Sequence, residues 1–176
     1  IVNRKNDMIS EIKSILEKEK LENVGFEGHE VSYDTYLELN KGMITLISIS
    51  DAIEKIREVK SEEEIDIIKK AAQIVDETYD YILTVVKAGM SEREVKAALE
   101  SKMLQLGADG PSFDTIVASG YRGALPHGVA SDKIIEQGDM ITLDFGAYYK
   151  GYCSDITRTF AIGEPDPKMK EIYDIV

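Results

Sequence analysis

The feature that most constrains this chain is the run over 139–159, Asp-Met-Ile-Thr-Leu-Asp-Phe-Gly-Ala-Tyr-Tyr-Lys-Gly-Tyr-Cys-Ser-Asp-Ile-Thr-Arg-Thr. Residues 140–148 and 152–160 are rich in β-branched and aromatic side chains, which suit a pleated, half-buried surface. Between them, Lys150-Gly151 suits a two-residue hairpin turn, with Gly151 supplying a positive φ. That turn sets a register: Tyr149 faces Tyr152, Gly146 faces Asp155 and Asp144 faces Thr157. Side chains two apart share a face of a strand, so Asp144, Gly146, Asp155 and Thr157 are predicted to point the same way. Asp144 and Asp155 become diagonal neighbours roughly 7–8 Å apart. The side chain missing at Gly146 leaves room for them to lean together.

Two carboxylates converging on one face repel each other unless they gain a proton, a cationic partner or a metal ion. In this register Arg158 points to the opposite face, and no Lys or Arg shares theirs. A hard divalent cation held by oxygen is one reading. Two solvated carboxylates on an exposed sheet are the other. A one-residue bulge in the turn would send one Asp to the far face and remove the juxtaposition.

The segment Asp144-Phe145-Gly146-Ala147, followed by Gly151-Tyr152-Cys153-Ser154-Asp155-Ile156-Thr157-Arg158-Thr159, resembles the first metal-ligand segment of the pita-bread metallopeptidases. Within that group it is most similar to the Xaa-Pro aminopeptidase and prolidase (Xaa-Pro dipeptidase) branch. The step of 11 residues from Asp144 to Asp155 fits that family's pattern. The resemblance runs continuously from about Arg57 to Val176 and is weaker before that. It implies an α/β (α+β) fold with two parts. Residues 1–56 are expected to form the C-terminal part of a small creatinase-like α/β N-terminal domain. Residues 57–176 are expected to form the N-terminal half of a pita-bread domain, whose two pseudo-symmetric halves each lay helices over an antiparallel sheet.

By that resemblance Asp144 binds one metal ion and Asp155 bridges two. The implied cofactors are two divalent cations, Mn2+ foremost, with Co2+ or Zn2+ as alternatives. The family's remaining ligands, one His and two Glu, belong to the second half of the fold, and no His follows His127 in this chain. The chain also opens on Ile1 rather than Met. It is therefore expected to be about half of a longer protein. The expectation for the parent is hydrolysis of the Xaa-Pro bond in proline-containing peptides or dipeptides. The chain alone is expected to be inactive and to cover its exposed apolar surface by self-association, as a homodimer or by domain swapping. Two other readings are a non-catalytic pita-bread binding module and a creatinase-like hydrolase that works without metal. Retention of both Asp weighs against each.

Upstream of the hairpin runs Gly120-Tyr121-Arg122-Gly123-Ala124-Leu125-Pro126-His127-Gly128. Its glycines lack the spacing of a dinucleotide or phosphate loop. Pro126 restricts Leu125 to extended geometry, so His127 is presented from a stiffened loop. A lone loop histidine is ordinarily a surface residue. In the family, Pro-His-Gly before the acidic hairpin carries a histidine near the scissile bond, and His127 matches it. The implied role is hydrogen bonding to substrate and to the developing tetrahedral intermediate, not metal binding. The other histidine, His29, lies in a polar Glu-Gly-His-Glu-Val loop and reads as a surface residue.

The rest of the chain alternates helix and strand signals. Residues 3–20 read as an amphipathic helix with Met8, Ile12, Ile15 and Leu16 on one side. A short strand over 24–27, a helix capped by Ser32, and a buried strand over 43–49 follow. Ile53, Ile56 and Val59 suggest another helical face. Ser61-Glu62-Glu63-Glu64 and Ser91-Glu92-Arg93-Glu94 are capping boxes. The first opens a helix with Ile65, Ile68, Ala72, Val75, Tyr79, Ile82 and Val86 on one face, ending near Gly89. The second opens a helix presenting Val95, Leu99, Met103 and Leu106, ending at Gly107. Gly110-Pro111 is expected to break the chain, and 113–119 to form a strand. Asp166 is expected to cap a last helix with Pro167 in its first position.

Composition limits the partners. With 21 Lys and Arg against 33 Asp and Glu, the net charge of −12 argues against nucleic acid and anionic lipid. No apolar run reaches the length of a membrane span, and no signal peptide is visible. The single cysteine excludes an internal disulfide and fits a reducing cytoplasm.

Overall fold

The computed structural model of the 176-residue chain describes residues 7–42 and 44–175. It divides into two compact units, Ile1–Lys60 and Ser61–Val176. No helix among the described residues is long and apolar enough to cross a membrane.

In the first unit, α1 (Met8–Lys18) starts at Asp7, whose side chain accepts from the Ser10 amide. Residues 3–6 of the expected helix lie outside the described residues. Ser32 caps α2 (Tyr33–Leu39) through the Thr35 amide, as its residue type predicts. Between and after these helices, β1 (Asn23–Phe26) and β2 (Thr45–Ser48) pair in parallel, Asn23 opposite Thr45. The strand expected over 43–49 is present in part, and Met43 lies outside the described residues. It is not buried: Ile47 is 48% exposed, in a sheet of two strands among the described residues. The short helix α3 (Ala52–Glu58) leaves Ile56 and Val59 exposed.

The second unit is built on α4 (Glu62–Val85) and α5 (Glu92–Gln105). Both capping boxes form. The Ser61 hydroxyl accepts from the Glu64 amide while Glu64 reaches back to the Ser61 amide, and Ser91 and Glu94 repeat the arrangement. The inner face of α4 differs slightly from expectation. Ala71, Ile74, Val75, Thr78 and Ile82 are buried, while Ala72 is exposed. Two adjacent alanines give hydrophobicity no means of choosing between them. Thr78 sits in the core because its hydroxyl donates to the Ile74 carbonyl at 2.7 Å. On α5, Val95, Leu99 and Met103 are fully buried. Gly89 and Gly107 follow the two helices with φ of +95° and +101°, the left-handed geometry of a helix end.

The helices cover one side of two three-stranded antiparallel sheets. One has the order β4 (Ile116–Ser119), β5 (Met140–Phe145), β8 (Ile156–Ala161). The other runs β3 (Gly110–Pro111), β6 (Ala147–Tyr149), β7 (Tyr152–Cys153). α4 packs on β6 and β7, and α5 on β3 and β4. Burial alternates strictly along β5: Ile141, Leu143 and Phe145 are fully buried, and Met140, Thr142 and Asp144 are not. Each fully buried aliphatic or aromatic side chain of this kind contributes roughly 1.5–3 kcal/mol.

The hairpin register is the predicted one in both of its ladders, while Gly146 and Asp155, expected to face each other, fall in the gap between them. Tyr149 pairs with Tyr152, Tyr148 with Cys153, Phe145 with Ile156 and Asp144 with Thr157. Lys150 and Gly151 have φ of +48° and +87°, and the Lys150 amide donates to Asp109 Oδ2 at 2.8 Å. The hairpin changes sheet midway, between β5 and β6 on one arm and β7 and β8 on the other. Gly110-Pro111 does not break the chain but forms β3, opposite Tyr148 and Ala147. The ladder bonds come from the flanking Asp109 and Ser112 amides, so the N–H that proline lacks is not needed. After β8, the Asp166 carboxylate accepts from the Lys168 amide at the start of α6 (Pro167–Ile175).

Candidate active site

The point where the hairpin passes from one sheet to the other is built by Gly146. A Cβ there would lie 1.9 Å from the Ser154 carbonyl oxygen and 2.2 Å from Ser112 Oγ. Sequence reasoning left this space for two leaning aspartates, but backbone fills it. The Ser112 amide donates to the Gly146 carbonyl, and the Ser112 hydroxyl donates to the Ser154 carbonyl at 2.8 Å. Ser154 Oγ accepts from the Ala147 amide and donates to the Ala71 carbonyl at 3.0 Å, tying the bend to α4. Tyr152 adds a second tie by donating to Glu64 Oε1 at 2.6 Å. The bend is therefore rigid, and Asp155 emerges from it just before β8.

Asp144 and Asp155 converge. Partial burial, the charge of Asp144 and a hydrogen bond to Asp144 all push the Asp155 carboxyl above its ordinary value. Asp155 is exposed as a residue, so solvent tempers these effects. Thr157 Oγ1 donates to Asp144 Oδ1 at 3.0 Å, on the same face. Neither carboxylate has a Lys or Arg ion pair among the described residues. Arg158 turns away, as predicted, and donates instead to the Thr157 carbonyl. The donor set is all oxygen and carries uncompensated negative charge, which suits a hard divalent cation. No third His, Cys, Asp or Glu joins the pair among the described residues.

Upstream along the same face, Thr142 and Thr159 hydrogen-bond across β5 and β8 at 3.0 Å. They line an apolar cavity of about 680 Å³ together with Tyr121, Met140, Met169 and Tyr173.

His127 is brought to the same sheet but not into contact with the carboxylates. It is exposed, in a turn that follows a 3₁₀ turn over Gly120–Ala124. The 3₁₀ turn stands where the sequence predicts only loop. Val129, two residues on, bridges Ile116 on the outer edge of β4, and Ile116 pairs with Asp144 on the other side. The loop thus runs along β4, two strand spacings or roughly 10 Å from Asp144. Gly128 permits this, since a Cβ there would lie 2.8 Å from that of Ala118. His29 belongs to the first unit, where it approaches Glu54 at 3.5 Å beside Glu27. In this group His29 is exposed and Glu27 and Glu54 are half-buried.

The residue that sequence reasoning missed is Glu92. Read only as the second position of a capping box, it is fully buried and accepts hydrogen bonds from Ser119, Arg122 and Ser131. No local pattern marks it, because all its partners lie 27 to 39 residues away.

Helices over one side of an antiparallel sheet, with a converged carboxylate pair on the other, define the class of pita-bread hydrolases. Residues 66–176 match the profile of metallopeptidase family M24, and residues 1–59 that of the creatinase/prolidase N-terminal domain. The chain belongs to metallopeptidase family M24. A Bacillus subtilis protein named an uncharacterized peptidase is 48% identical over 178 residues, covering 100% of this chain and 50% of that protein. The solved Xaa-Pro dipeptidase from Bacillus anthracis superposes with a TM-score of 0.92 at 49% identity, covering 100% of this chain and 50% of its own. The X-Pro aminopeptidase from Thermotoga maritima gives 0.92 at 43% identity, covering 98% and 49%. The chain spans about half the length of these relatives.

Proposed function

We propose that the protein carrying this chain is a metal-dependent peptidase. It cleaves the bond between an N-terminal residue and a following proline, in peptides or in dipeptides. The observation that carries this reading is the convergence of Asp144 and Asp155 on one sheet face with no cationic side chain to neutralise them. Similarity to proteins named Xaa-Pro dipeptidase and X-Pro aminopeptidase supports the substrate class, and the two names keep both substrate lengths open.

In this reading Asp144 and Asp155 hold divalent cations, Mn2+ foremost. Such ions, when bound, supply Lewis-acid polarisation of a carbonyl and acidify a water nucleophile. The chain's own residues do the rest. Thr157 fixes one oxygen of Asp144 by donating to it, leaving the other oxygen directed by that bond. The raised proton affinity of Asp155 means that protons compete with a cation for this carboxyl as pH falls. His127 donates a hydrogen bond to the substrate and to the oxyanion that develops at its carbonyl. Two carboxylates cannot complete the shells of two cations that take about six ligands each, so the 176-residue chain alone does not hydrolyse peptides. Its exposed apolar side chains, Val129, Ile134 and Met169 among them, favour association with other copies, which light scattering detects as a mass above one chain.

The test is hydrolysis of Ala-Pro and of an Ala-Pro-led peptide, with Mn2+, by this chain and by a longer protein carrying it. The expected result is turnover by the longer protein only. Turnover by this chain alone contradicts the incomplete ligand shell. Cleavage by the longer protein that ignores the proline contradicts the substrate class.

A further inference from the structure

The loop that carries His127 is held at both ends by a single carboxylate. Ser119, the last residue of β4, donates to Glu92 Oε1 through its amide at 2.8 Å and its hydroxyl at 2.9 Å. Ser131, where the loop returns, donates to Glu92 Oε2 through its amide at 3.0 Å and its hydroxyl at 2.6 Å. Arg122, inside the loop, donates from Nε to the same Oε2 at 2.9 Å and from a terminal nitrogen to the Val129 carbonyl at 2.7 Å. The Val129 amide in turn donates to the carbonyl of His127 at 2.8 Å. A continuous chain of hydrogen bonds therefore links Glu92 to the backbone of His127.

Both oxygens of the carboxylate are hydrogen-bonded. Glu92 is 0% exposed. Burial by itself would raise its pKa, but the Ser131 and Ser119 donors outweigh it and leave the carboxyl below its ordinary value. It also sits in the first turn of α5, where the helix dipole favours negative charge. A second ion pair closes the far side. Lys133 bonds Asp139 Oδ2 at 2.7 Å and Ser119 Oγ at 3.0 Å, and Asp139 fills the space that a side chain at Gly120 would need. All of this order converges on a loop whose most reactive side chain, His127, is exposed and makes no bond of its own among those described.

We propose that Glu92 is a positioning residue: with Arg122 it clamps the 119–131 loop so that His127 is preorganised over the face that carries Asp144 and Asp155. This deepens the peptidase reading and rests on the role given there to His127. Preorganisation of this kind lowers the barrier by removing motion at the reacting carbonyl.

The experiment has two readouts. The first is amide hydrogen exchange in the 176-residue chain, independent of any activity. Glu92→Gln replaces an acceptor by a donor that cannot serve both feet. It is expected to speed exchange over 120–130 at least tenfold while α4 and β5 keep their protection. The second is kinetics in the longer protein. Glu92→Gln is expected to lower kcat at least tenfold with little change in KM, and to have no further effect once His127→Ala is present. Arg122→Lys, which keeps the charge but loses the two-point bridge, is expected to do the same in both readouts and serves if the Glu92 variant does not fold. Unchanged loop exchange overturns the clamp. Effects of Glu92→Gln and His127→Ala that multiply independently overturn the positioning role. If His127→Ala alone leaves kcat unchanged, the role given to His127 falls and positioning with it, while the exchange data still decide the clamp.

Discussion

Glu92 and Asp155 are carboxylates of the same unit, and their surroundings push them in opposite directions. Glu92 is fully buried, yet hydrogen-bond donors on both oxygens outweigh the cost of burial and hold it ionised. Asp155 is far more exposed, yet the burial it does have, together with the charge of Asp144 and a hydrogen bond to it, makes its carboxyl hold a proton more tightly than usual, because no donor offsets them. Exposure alone would rank them the other way. The difference teaches where to look for a ligand. A charge whose partners come from its own chain is part of the architecture, whereas a charge left facing a like charge on a rigid bend awaits something from outside.

The contrast can be broken or sharpened by substitution. The largest effect is expected from Asp144→Asn in a longer protein that carries this chain. Losing one ligand oxygen should lower turnover of a Xaa-Pro dipeptide by about 10³-fold or more, equivalent to ~4 kcal/mol, while thermal unfolding stays close to wild type. A comparable loss of stability would make Asp144 architectural and erase the distinction. Glu92→Ala should do the reverse in the 176-residue chain. Removing one side of a buried charged network typically costs about 3–5 kcal/mol, measurable by urea unfolding. A cost below ~1 kcal/mol would show that the network is dispensable.

Gly146→Ala comes next, because it attacks the bend that presents Asp155. The added methyl meets Ser154 and Ser112 far inside contact distance, and overpacking of this kind costs about 1–3 kcal/mol. The smallest effect is Asp155→Asn, expected to stabilise the metal-free chain by less than ~1 kcal/mol after solvent screening. The sign follows from linkage. The folded-state pKa of Asp155 lies above its ordinary value of 3.8. Well below that value both states are protonated and nothing is lost. As pH rises from there through the raised pKa, the folded state bears the cost of ionising Asp155, so wild-type stability falls relative to the Asn variant. Parallel pH profiles for the two proteins would remove the unfavourable environment on which the cation site rests.

Much of this was legible before the structure. The Lys150-Gly151 turn was enough to set the pairing of Asp144 with Thr157, because a two-residue loop leaves one register and the period of a strand is two. The Ser61 and Ser91 boxes and the Asp166-Pro167 start were readable because caps are local chemistry. What could not be read depends on distant segments. Glu92 finds its donors only after β4 and the loop fold back onto α5. Gly110-Pro111 becomes a strand only because 109 and 112 supply the amides that proline lacks. At Gly146 the sequence predicts room for two carboxylates, whereas the Ser154 carbonyl and the Ser112 hydroxyl occupy it. Pro126 marks the His127 loop in the sequence, but the hydrogen bonds of Glu92 and Arg122 to that loop have no local signal.

The measurement that tests the central claim most directly is a titration of the 176-residue chain with Mn2+, followed residue by residue through paramagnetic broadening of its amide resonances. The account predicts broadening centred on 144, 155 and 157, weakening as pH falls and the Asp155 proton competes, and abolished by Asp144→Asn with Asp155→Asn. Broadening centred instead on Glu27, His29 and Glu54, or absent from the hairpin at millimolar Mn2+, would contradict it.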